Sequence, residues 1–171
     1  LEKARHLTSS QHAYVSEMDE ATGDHVSHTL TCMSEDVCEM RDDHRIEIPK
    51  GDDGLYLGLY GYSLNTLEAF YTNSPETHPS SQGVSSGTVS LKRFLSVPVL
   101  VGGKLLGQIA LANSDRDYTD DDIAAIVRLA HYYAMALERK RWEGALRQSE
   151  QSLELALSGA HLHMWNLNLE T

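Results

Sequence analysis

Cysteines, basic residues and long apolar runs are all scarce in this chain. Its 171 residues include only two cysteines, Cys32 and Cys38, too few for a disulfide framework and typical of a reducing compartment. Lys and Arg total 14 against 25 Asp and Glu, and the resulting net charge of −11 argues against nucleic acid as a partner. No run approaches the roughly 18 apolar residues of a membrane span, and no signal-peptide pattern is present. We therefore expect a cytoplasmic protein without direct membrane contact.

A β-hairpin is the clearest local pattern. Gly102-Gly103 separates two apolar segments, residues 94–101 and 104–112, and two residues that tolerate positive φ suit a two-residue hairpin turn. Both segments are apolar at nearly every position, which predicts central strands covered on both faces. Pro98 lacks a backbone donor and predicts a bulge or a locally unpaired position.

A long helix should follow the hairpin. Thr119 and Asp122 have the spacing of a capping box, and a helix starting there contains no proline before Gly159. Residues 139–158 are mostly charged or polar, and a lone helix of this kind is marginal in water, so we predict that it pairs with its copy in a parallel dimer. One apolar stripe is predicted to run along the dimer and signalling helix, through Ile126, Ala130, Leu137, Trp142, Leu146 and Leu153.

The remaining pattern predicts an α+β fold. Residues 13–18, 25–33 and 45–48 alternate or cluster as strands. Residues 55–67 form a glycine-rich segment that is predicted as a helix, although its helix propensity is poor. Residues 73–87 form a polar loop long enough to cover a binding site. The two ends resemble an interrupted helix and an interrupted strand, so we expect a piece of a longer protein.

No catalytic residue or metal site is predicted. His25 and His28 are three apart on a strand pattern, so their side chains point to opposite faces and cannot share one metal. His131 lacks the acidic or Arg neighbour and the following Pro of a phosphoacceptor histidine, which favours plain packing. No glycine-rich phosphate cradle followed by Lys occurs, so phosphotransfer, cyclase or hydrolase activity is not expected.

Taken in order, the sheet pattern, the glycine-rich segment, RFLSVPV, the GG hairpin and DYTDDDIAAI resemble a GAF domain, most clearly over residues 91–126. Within that family, SLKRFLSVPVLVGGKLLGQIALAN is similar to the GAF domains of bacterial sensor histidine kinases and diguanylate cyclases. The C-terminal segment SEQSLELALSGAHLHMWNLNLET resembles the start of a PAS domain. The resemblance implies a six-stranded antiparallel sheet flanked by helices, with a small-molecule pocket on one face and dimer contacts through the terminal helices. Implied domains are a GAF-like sensor over 1–138, a helical coiled-coil linker over 139–158 and a truncated PAS start over 159–171.

The family's known cofactors fit this sequence poorly. Cyclic-nucleotide-binding members carry an Asn-Lys pair, and here Ser114 follows Asn113. Bilin-binding members commonly attach the chromophore through a Cys followed by His, whereas Cys32 precedes Met33 and Cys38 precedes Glu39. Cyclic nucleotide and bilin are therefore disfavoured and the cofactor is unassigned.

The glycine-rich segment is surrounded by aromatic residues, which are either core or pocket lining. Three interpretations of Arg93 stay open: a solvated surface charge, a side chain that holds a loop in place, or a contact for an anionic ligand. The candidate pocket residues are Tyr56, Tyr60, Tyr62, Phe70, Arg93, Ser96 and Asn113.

Together these patterns favour a non-catalytic small-molecule sensor and homodimerisation module of a bacterial signal-transduction protein. It would relay the state of its pocket through the C-terminal helix to PAS and output domains of a histidine kinase or diguanylate cyclase. Two alternatives stay open. A ligand-free dimerisation spacer would fill the pocket with its own Tyr and Leu side chains, and a cysteine-based redox enzyme would expose Cys32 or Cys38 near the pocket.

Overall fold

The computed structural model describes residues 1–19, 25–30, 45–46, 50–81 and 90–159, with backbone only for 25–30, 45–46 and 159. These elements make up an α+β fold, as predicted. The helices and strands are α1 (Glu2–Thr8), β1 (Ser10–Met18), β2 (His25–Leu30), β3 (Arg45–Ile46), α2 (Gly58–Thr66), β4 (Phe70–Thr72), β5 (Phe94–Val101), β6 (Lys104–Ser114) and α3 (Asp120–Gly159). Two 3₁₀ turns, Pro75–Thr77 and Pro79–Ser81, follow β4.

The strands form one antiparallel sheet in the order β3-β2-β1-β6-β5-β4. Side chains are described for β1, β4, β5 and β6, and backbone pairing alone for β2 and β3. Strands β6 and β1 lie in the middle, and β6 is buried along most of its length. The predicted antiparallel sheet is confirmed, and so is the covering of β5 and β6 on both faces.

The hairpin between β5 and β6 turns at the two predicted glycines, whose φ values are +56° at Gly102 and +81° at Gly103. The irregularity expected at Pro98 lies instead between Val99 and Leu100, and Pro98 itself pairs with Gln108. Pro98 can be accommodated because β4 ends its pairing with β5 at Ser96, so a missing donor on that side has no strand partner to lose.

Several predicted boundaries were wrong. Strand β1 begins at Ser10 and not at residue 13, because Ser10 pairs with Ser114 at the end of β6. Strand β4 was missed, since three residues give too short a pattern to read. Helix α2 begins at Gly58 and not at residue 55, because Tyr56 pairs with Lys50 in a β-bridge. Residues 31–33, 47–48 and 82–87, which belonged to predicted strands and the polar loop, lie outside the described residues.

Helix α3 begins at Asp120 and runs to Gly159, as predicted. Only half of the capping box forms. The Thr119 amide and hydroxyl both donate to Asp122 Oδ2, at 2.9 Å and 3.0 Å. The Asp122 amide donates to the Thr119 carbonyl at 3.1 Å and not to its hydroxyl, which already donates to the carboxylate.

The single apolar stripe predicted along α3 consists of two different surfaces. Ile126, Ala130 and Leu137 are buried, so within one protomer they are not open to a second copy. Trp142, Leu146 and Leu153 are 72%, 62% and 58% exposed. None of the described helices combines the length and apolar character that a membrane crossing requires. The chain divides into two compact units, Leu1–Met135 and Ala136–Thr171.

Candidate functional site

Helix α2 and the sheet enclose a group of aromatic rings, here called the aromatic cluster. The rings of Tyr60 and Phe94 meet edge to face with centroids 4.9 Å apart, and those of Tyr62 and Phe70 meet likewise at 4.7 Å. Phe70 and Phe94 are 5.9 Å apart, which joins the two pairs. The whole cluster consists of Tyr14, Tyr60, Tyr62, Phe70, His78 and Phe94.

Local contacts fix α2 to the segment that precedes it. A Cβ atom on Gly61 would collide with the Tyr56 carbonyl, so this position requires glycine. The Asn65 side-chain amide makes two hydrogen bonds with the backbone of Tyr56: it donates to the Tyr56 carbonyl at 2.8 Å and accepts from the Tyr56 N–H at 2.9 Å. Lys50 places its ammonium 4.6 Å from the centroid of the Tyr56 ring. The predicted pocket residue Tyr56 therefore belongs to the clasp that holds α2.

Beneath α2 lies a group of polar side chains, here called the polar cluster: Ser63, Ser96 and Gln108. All three are fully buried, at 0% exposure. Gln108 Nε2 is 2.9 Å from each of the Ser63 and Ser96 hydroxyl oxygens and 2.7 Å from the Tyr60 carbonyl. The two hydroxyl oxygens are 2.7 Å apart. Tyr60 thus connects the two clusters, since its ring lies in the aromatic cluster and its carbonyl accepts from Gln108.

Phenols are uncharged at neutral pH, and burial moves those around α2 further from ionisation. It raises the pKa of Tyr60 to about 12, and it raises the pKa of Tyr14 still further. Both hydroxyls therefore stay protonated at neutral pH, and the polar cluster itself carries no charge. This side of the sheet suits an uncharged occupant better than an ionised one.

Two predicted pocket residues are committed to loops. The Arg93 guanidinium binds Asp117 Oδ1 at 2.7 Å and the Ser114 carbonyl at 3.1 Å. The side-chain amide of Asn113 accepts from the Lys92 N–H at 2.8 Å and donates to the Ser90 carbonyl at 3.1 Å. Arg93 therefore ties a loop down, as one of its three predicted interpretations had it, and Asn113 anchors the approach to β5.

Four predicted pocket residues do come together, namely Tyr60, Tyr62, Phe70 and Ser96. The residues that sequence reasoning missed are Tyr14, Ser63, His78, Phe94 and Gln108. Gln108 did leave a signal, because it is a lone polar residue within the apolar run LLGQIALA of a strand predicted to be covered on both faces. The others could not be found without knowing which strands are neighbours.

The connection between β6 and α3, residues 114–122, is here called the junction. Tyr118 is its centre. The phenol oxygen of Tyr118 lies 2.7 Å from Ser10 Oγ, which lies 2.7 Å from Thr8 Oγ1 at the end of α1. The side-chain amide of Asn73, just after β4, donates to the Tyr118 carbonyl at 3.1 Å and accepts from its N–H at 2.8 Å. The junction thus contacts the ends of α1 and β4 as well as the first turn of α3.

A bidentate ion pair stiffens the junction. Both terminal nitrogens of Arg116 bind the Asp122 carboxylate, at 2.6 Å and 2.7 Å. The Arg116 guanidinium, aided by the two bonds from Thr119, holds the pKa of Asp122 below its usual value. A further bond joins the Tyr71 hydroxyl of β4 to Asp120 at 3.1 Å.

In the part of the chain that the structure describes, no three His, Cys, Asp or Glu side chains converge into a metal-ligand group. The cysteines and the side chains of His25 and His28 lie outside that part. The two regions described above are built from aromatic packing, from hydrogen bonds and from the ion pair that holds the start of α3.

The fold and these two regions define a GAF-like α+β domain. The chain belongs to the GAF domain family, whose match covers residues 1–138.

The chain is also similar to three known proteins. It is 26% identical over 156 residues to the methyl sulfide methyltransferase-associated sensor of Methanosarcina acetivorans, covering 91% of this chain and 15% of that protein. A domain of a putative two-component sensor histidine kinase from Sinorhizobium meliloti superimposes with a TM-score of 0.60, 18% identity and coverage of 86% and 92%. A free methionine-R-sulfoxide reductase from Thermoplasma acidophilum has a TM-score of 0.57, 13% identity and coverage of 78% and 83%.

Proposed function

We propose that this chain is a non-catalytic small-molecule sensor and dimerisation module, which relays the state of the α2 side of the sheet through the junction to α3. The family match and the sensor-named relative support a sensory role. The observation that carries the relay is the pairing of Asn73 with the Tyr118 backbone. It joins the strand that bears Phe70 to the residue two positions before α3.

The relay follows from the chain's own connections. Phe70 packs on Tyr62 and Phe94 within the aromatic cluster, and three residues later Asn73 binds the junction. A change in the packing of Phe70 therefore shifts the short β4 strand. Asn73, which directly follows β4, transmits the shift to the start of α3 through its two hydrogen bonds with the Tyr118 backbone. The coupling is limited by the ligand's difference in affinity between the two packings.

Dimerisation is proposed through the exposed side of α3. Its large exposed apolar residues are mostly spaced at intervals of 3, 4 and 7, which places them at the a and d positions of one heptad register. The residues in this register are Tyr132, Met135, Trp142, Leu146 and Leu153, with Tyr132 and Met135 at 68% and 55% exposure. Val127 and Leu155 are also exposed and lie outside the register. The buried Ile126, Ala130 and Leu137 occupy the b and f positions, on the opposite side of the helix. We call the exposed set the heptad seam.

The seam has two polar interruptions, Arg139 and Ser149, at a and d positions. Arg139 is held within its own helix by a 2.7 Å bond to Glu143, which leaves its alkyl stem available for packing. A second copy of this chain is the proposed partner because only a helix with the same register would place apolar residues opposite the seam throughout. PAS and output domains beyond residue 159 and a cytoplasmic location belong to this proposal as well.

The ligand-free spacer remains a second candidate. The observation that favours it is the density of the aromatic cluster, whose ring centroids are 4.7–6.0 Å apart and so fill much of the space beside α2. The two candidates differ in whether α2 makes room for a ligand.

Native mass spectrometry of the purified chain separates them. A sensor is expected to carry a small molecule that is released on denaturation, and Phe94→Trp, which enlarges a ring in the cluster, should reduce its occupancy. A dimer that carries no small molecule, even after incubation with extract of its source cells, would favour the spacer.

A further inference from the structure

The polar cluster has more hydrogens than acceptors. The Gln108 amide carries two hydrogens, and the Ser63 and Ser96 hydroxyls carry one each. The described acceptors for these four hydrogens are the Tyr60 carbonyl and the two hydroxyl oxygens. One amide hydrogen goes to Tyr60, the other to a serine, and one serine donates to the other. One serine hydroxyl is then left without an acceptor.

The opposite deficiency, an acceptor without a donor, lies on Gln108. Gln108 Oε1 is buried and has no hydrogen-bond partner among the described residues. Exchanging the amide's oxygen and nitrogen does not cure this, because the oxygen would then face the Tyr60 carbonyl, an acceptor, at 2.7 Å. The cluster therefore retains one unmet acceptor on Gln108 and one unmet donor on a serine.

Buried polar groups without partners are rare because each costs about 1–3 kcal/mol. A group that brings an N–H donor and a C=O acceptor side by side would satisfy both at once. We propose that the polar cluster is the recognition element of the sensor's binding site, and that it takes a neutral, planar ligand with a lactam-type edge of adjacent N–H and C=O. This inference rests on the sensory function proposed above and specifies the chemistry of its ligand.

Neutrality and planarity follow from the surroundings. The polar cluster carries no charge to balance an ion. The neighbouring phenols of Tyr14 and Tyr60 are uncharged at neutral pH, and burial raises their pKa further. The Tyr60 ring, joined to Phe94 at 4.9 Å, offers an aromatic surface against which a flat ring can pack. Arg93, which had suggested an anionic ligand, is occupied by Asp117.

Helix α2 is the element that can make room. It contributes Ser63 and the Tyr60 carbonyl, so displacing it opens the cluster. Its two ends are weakly capped, because Leu57 provides no side-chain cap and Leu67 ends the helix at φ +58°, an unfavourable conformation for leucine. The Asn65 bonds hold α2 to the Tyr56 backbone, so the helix and that segment would be displaced together. The ligand edge would supply one donor and one acceptor, which are the two groups that the cluster lacks.

The test uses 2-quinolone, a planar bicyclic lactam, as the probe. N-methyl-2-quinolone lacks the N–H, and quinoline-2-carboxylate carries a negative charge in its place. Binding to the full chain is measured by NMR titration. We expect 2-quinolone to bind, N-methylation to weaken binding by at least about tenfold, as the loss of one hydrogen bond would, and the carboxylate to bind more weakly than the lactam.

Gln108→Leu supplies the protein side of the test. It replaces the amide by an apolar group of similar size and is expected to reduce 2-quinolone binding at least about tenfold while leaving the urea midpoint nearly unchanged, because an unsatisfied acceptor is removed with the bonds. Ser63→Ala, which keeps Gln108, serves if the leucine variant does not fold, and should weaken binding less. Failure of 2-quinolone to bind, or equal binding by N-methyl-2-quinolone or by both variants, would overturn the proposal.

These outcomes leave the proposed function to its own test. A sensor that recognises another chemistry would still carry a releasable small molecule in native mass spectrometry while ignoring 2-quinolone. A spacer would carry none.

Discussion

The phenol oxygen of Tyr118 lies 2.7 Å from the hydroxyl oxygen of Ser10, although the two residues are 108 positions apart in the chain. Both side chains are buried. The contact places the start of α3 against the start of β1, and Ser10 passes it on to Thr8 at the end of α1. Helices α1 and α3 are therefore linked through one phenol.

Alkaline pH should destabilise the fold through its buried phenols. Burial raises the pKa of Tyr60 and of Tyr118 to about 12, from a usual value near 10. Between these values the unfolded chain loses protons that the folded chain keeps, so the free energy of unfolding falls as pH rises. Tyr118→Phe should cost about 1 kcal/mol at pH 8 and should flatten the alkaline decline by up to about 1.4 kcal/mol per pH unit. Urea unfolding at pH 8, 10 and 11 measures both, and an unchanged alkaline slope would contradict the burial of this phenol.

Acid should weaken the junction through Asp122. The pKa of this carboxyl is held low by Arg116 and Thr119, so its contribution is present above the usual value and is lost as pH falls through the lowered one. Asp122→Asn should reduce the free energy of unfolding by about 1.5–3 kcal/mol at pH 7, with the deficit shrinking towards pH 3.

Asp121→Asn is the matched control, since Asp121 is the exposed neighbour in the same helix turn. It should change stability by less than about 0.5 kcal/mol. Equal losses in the two variants would mean that the helix dipole alone, and not the Arg116 pair, accounts for the effect.

Two helical glycines should respond in opposite directions to alanine. A Cβ at Gly61 would collide with the Tyr56 carbonyl, whereas nothing lies within 4 Å of one at Gly144. Gly61→Ala should therefore lower the free energy of unfolding by about 1–3 kcal/mol, and Gly144→Ala should leave it unchanged or raise it by up to about 1 kcal/mol. Thermal unfolding of the two variants checks this, and a gain at Gly61 would show that α2 is not pressed against residue 56.

The heptad seam predicts different effects for two neighbouring leucines. Leu153 lies in the seam and Leu155 does not, yet they are 58% and 73% exposed in one protomer. Leu153→Asn should raise the dimer dissociation constant at least about tenfold, the loss of about 1.4 kcal/mol, and Leu155→Asn should leave it nearly unchanged. Sedimentation equilibrium measures both constants. Equal weakening, or a monomeric wild-type chain, would rule out this seam.

Local chemistry predicted the parts of the fold that depend on neighbours in sequence. Gly102-Gly103 and the acidic start of α3 needed no tertiary information, and both are where the sequence placed them. Strand β4 depends on its pairing with β5, from which it is separated by more than twenty residues in sequence, so three residues gave no pattern of their own.

The candidate site was harder for the same reason. Aromatic residues near α2 could be guessed from composition, but the meeting of Ser63, Ser96 and Gln108 follows from strand order and helix placement. Arg93 looked available because its partner Asp117 lies across the hairpin. The prediction merged the two surfaces of α3 into one stripe. The buried apolar residues and the exposed apolar residues recur along the helix at nearly the same spacing, so the sequence alone does not separate them.

We propose that the packing of the aromatic cluster is relayed through the Asn73–Tyr118 pairing to α3 in a dimer. The direct measurement is the distance between spin labels on the two copies at Gln151→Cys, with Cys32→Ser and Cys38→Ser, by pulsed electron resonance. Phe70→Ala should shift the distance distribution, and Phe70→Ala with Asn73→Ala should restore that of the parent. A dimer whose distribution is the same with and without Phe70, or whose shift persists without Asn73, would contradict the relay.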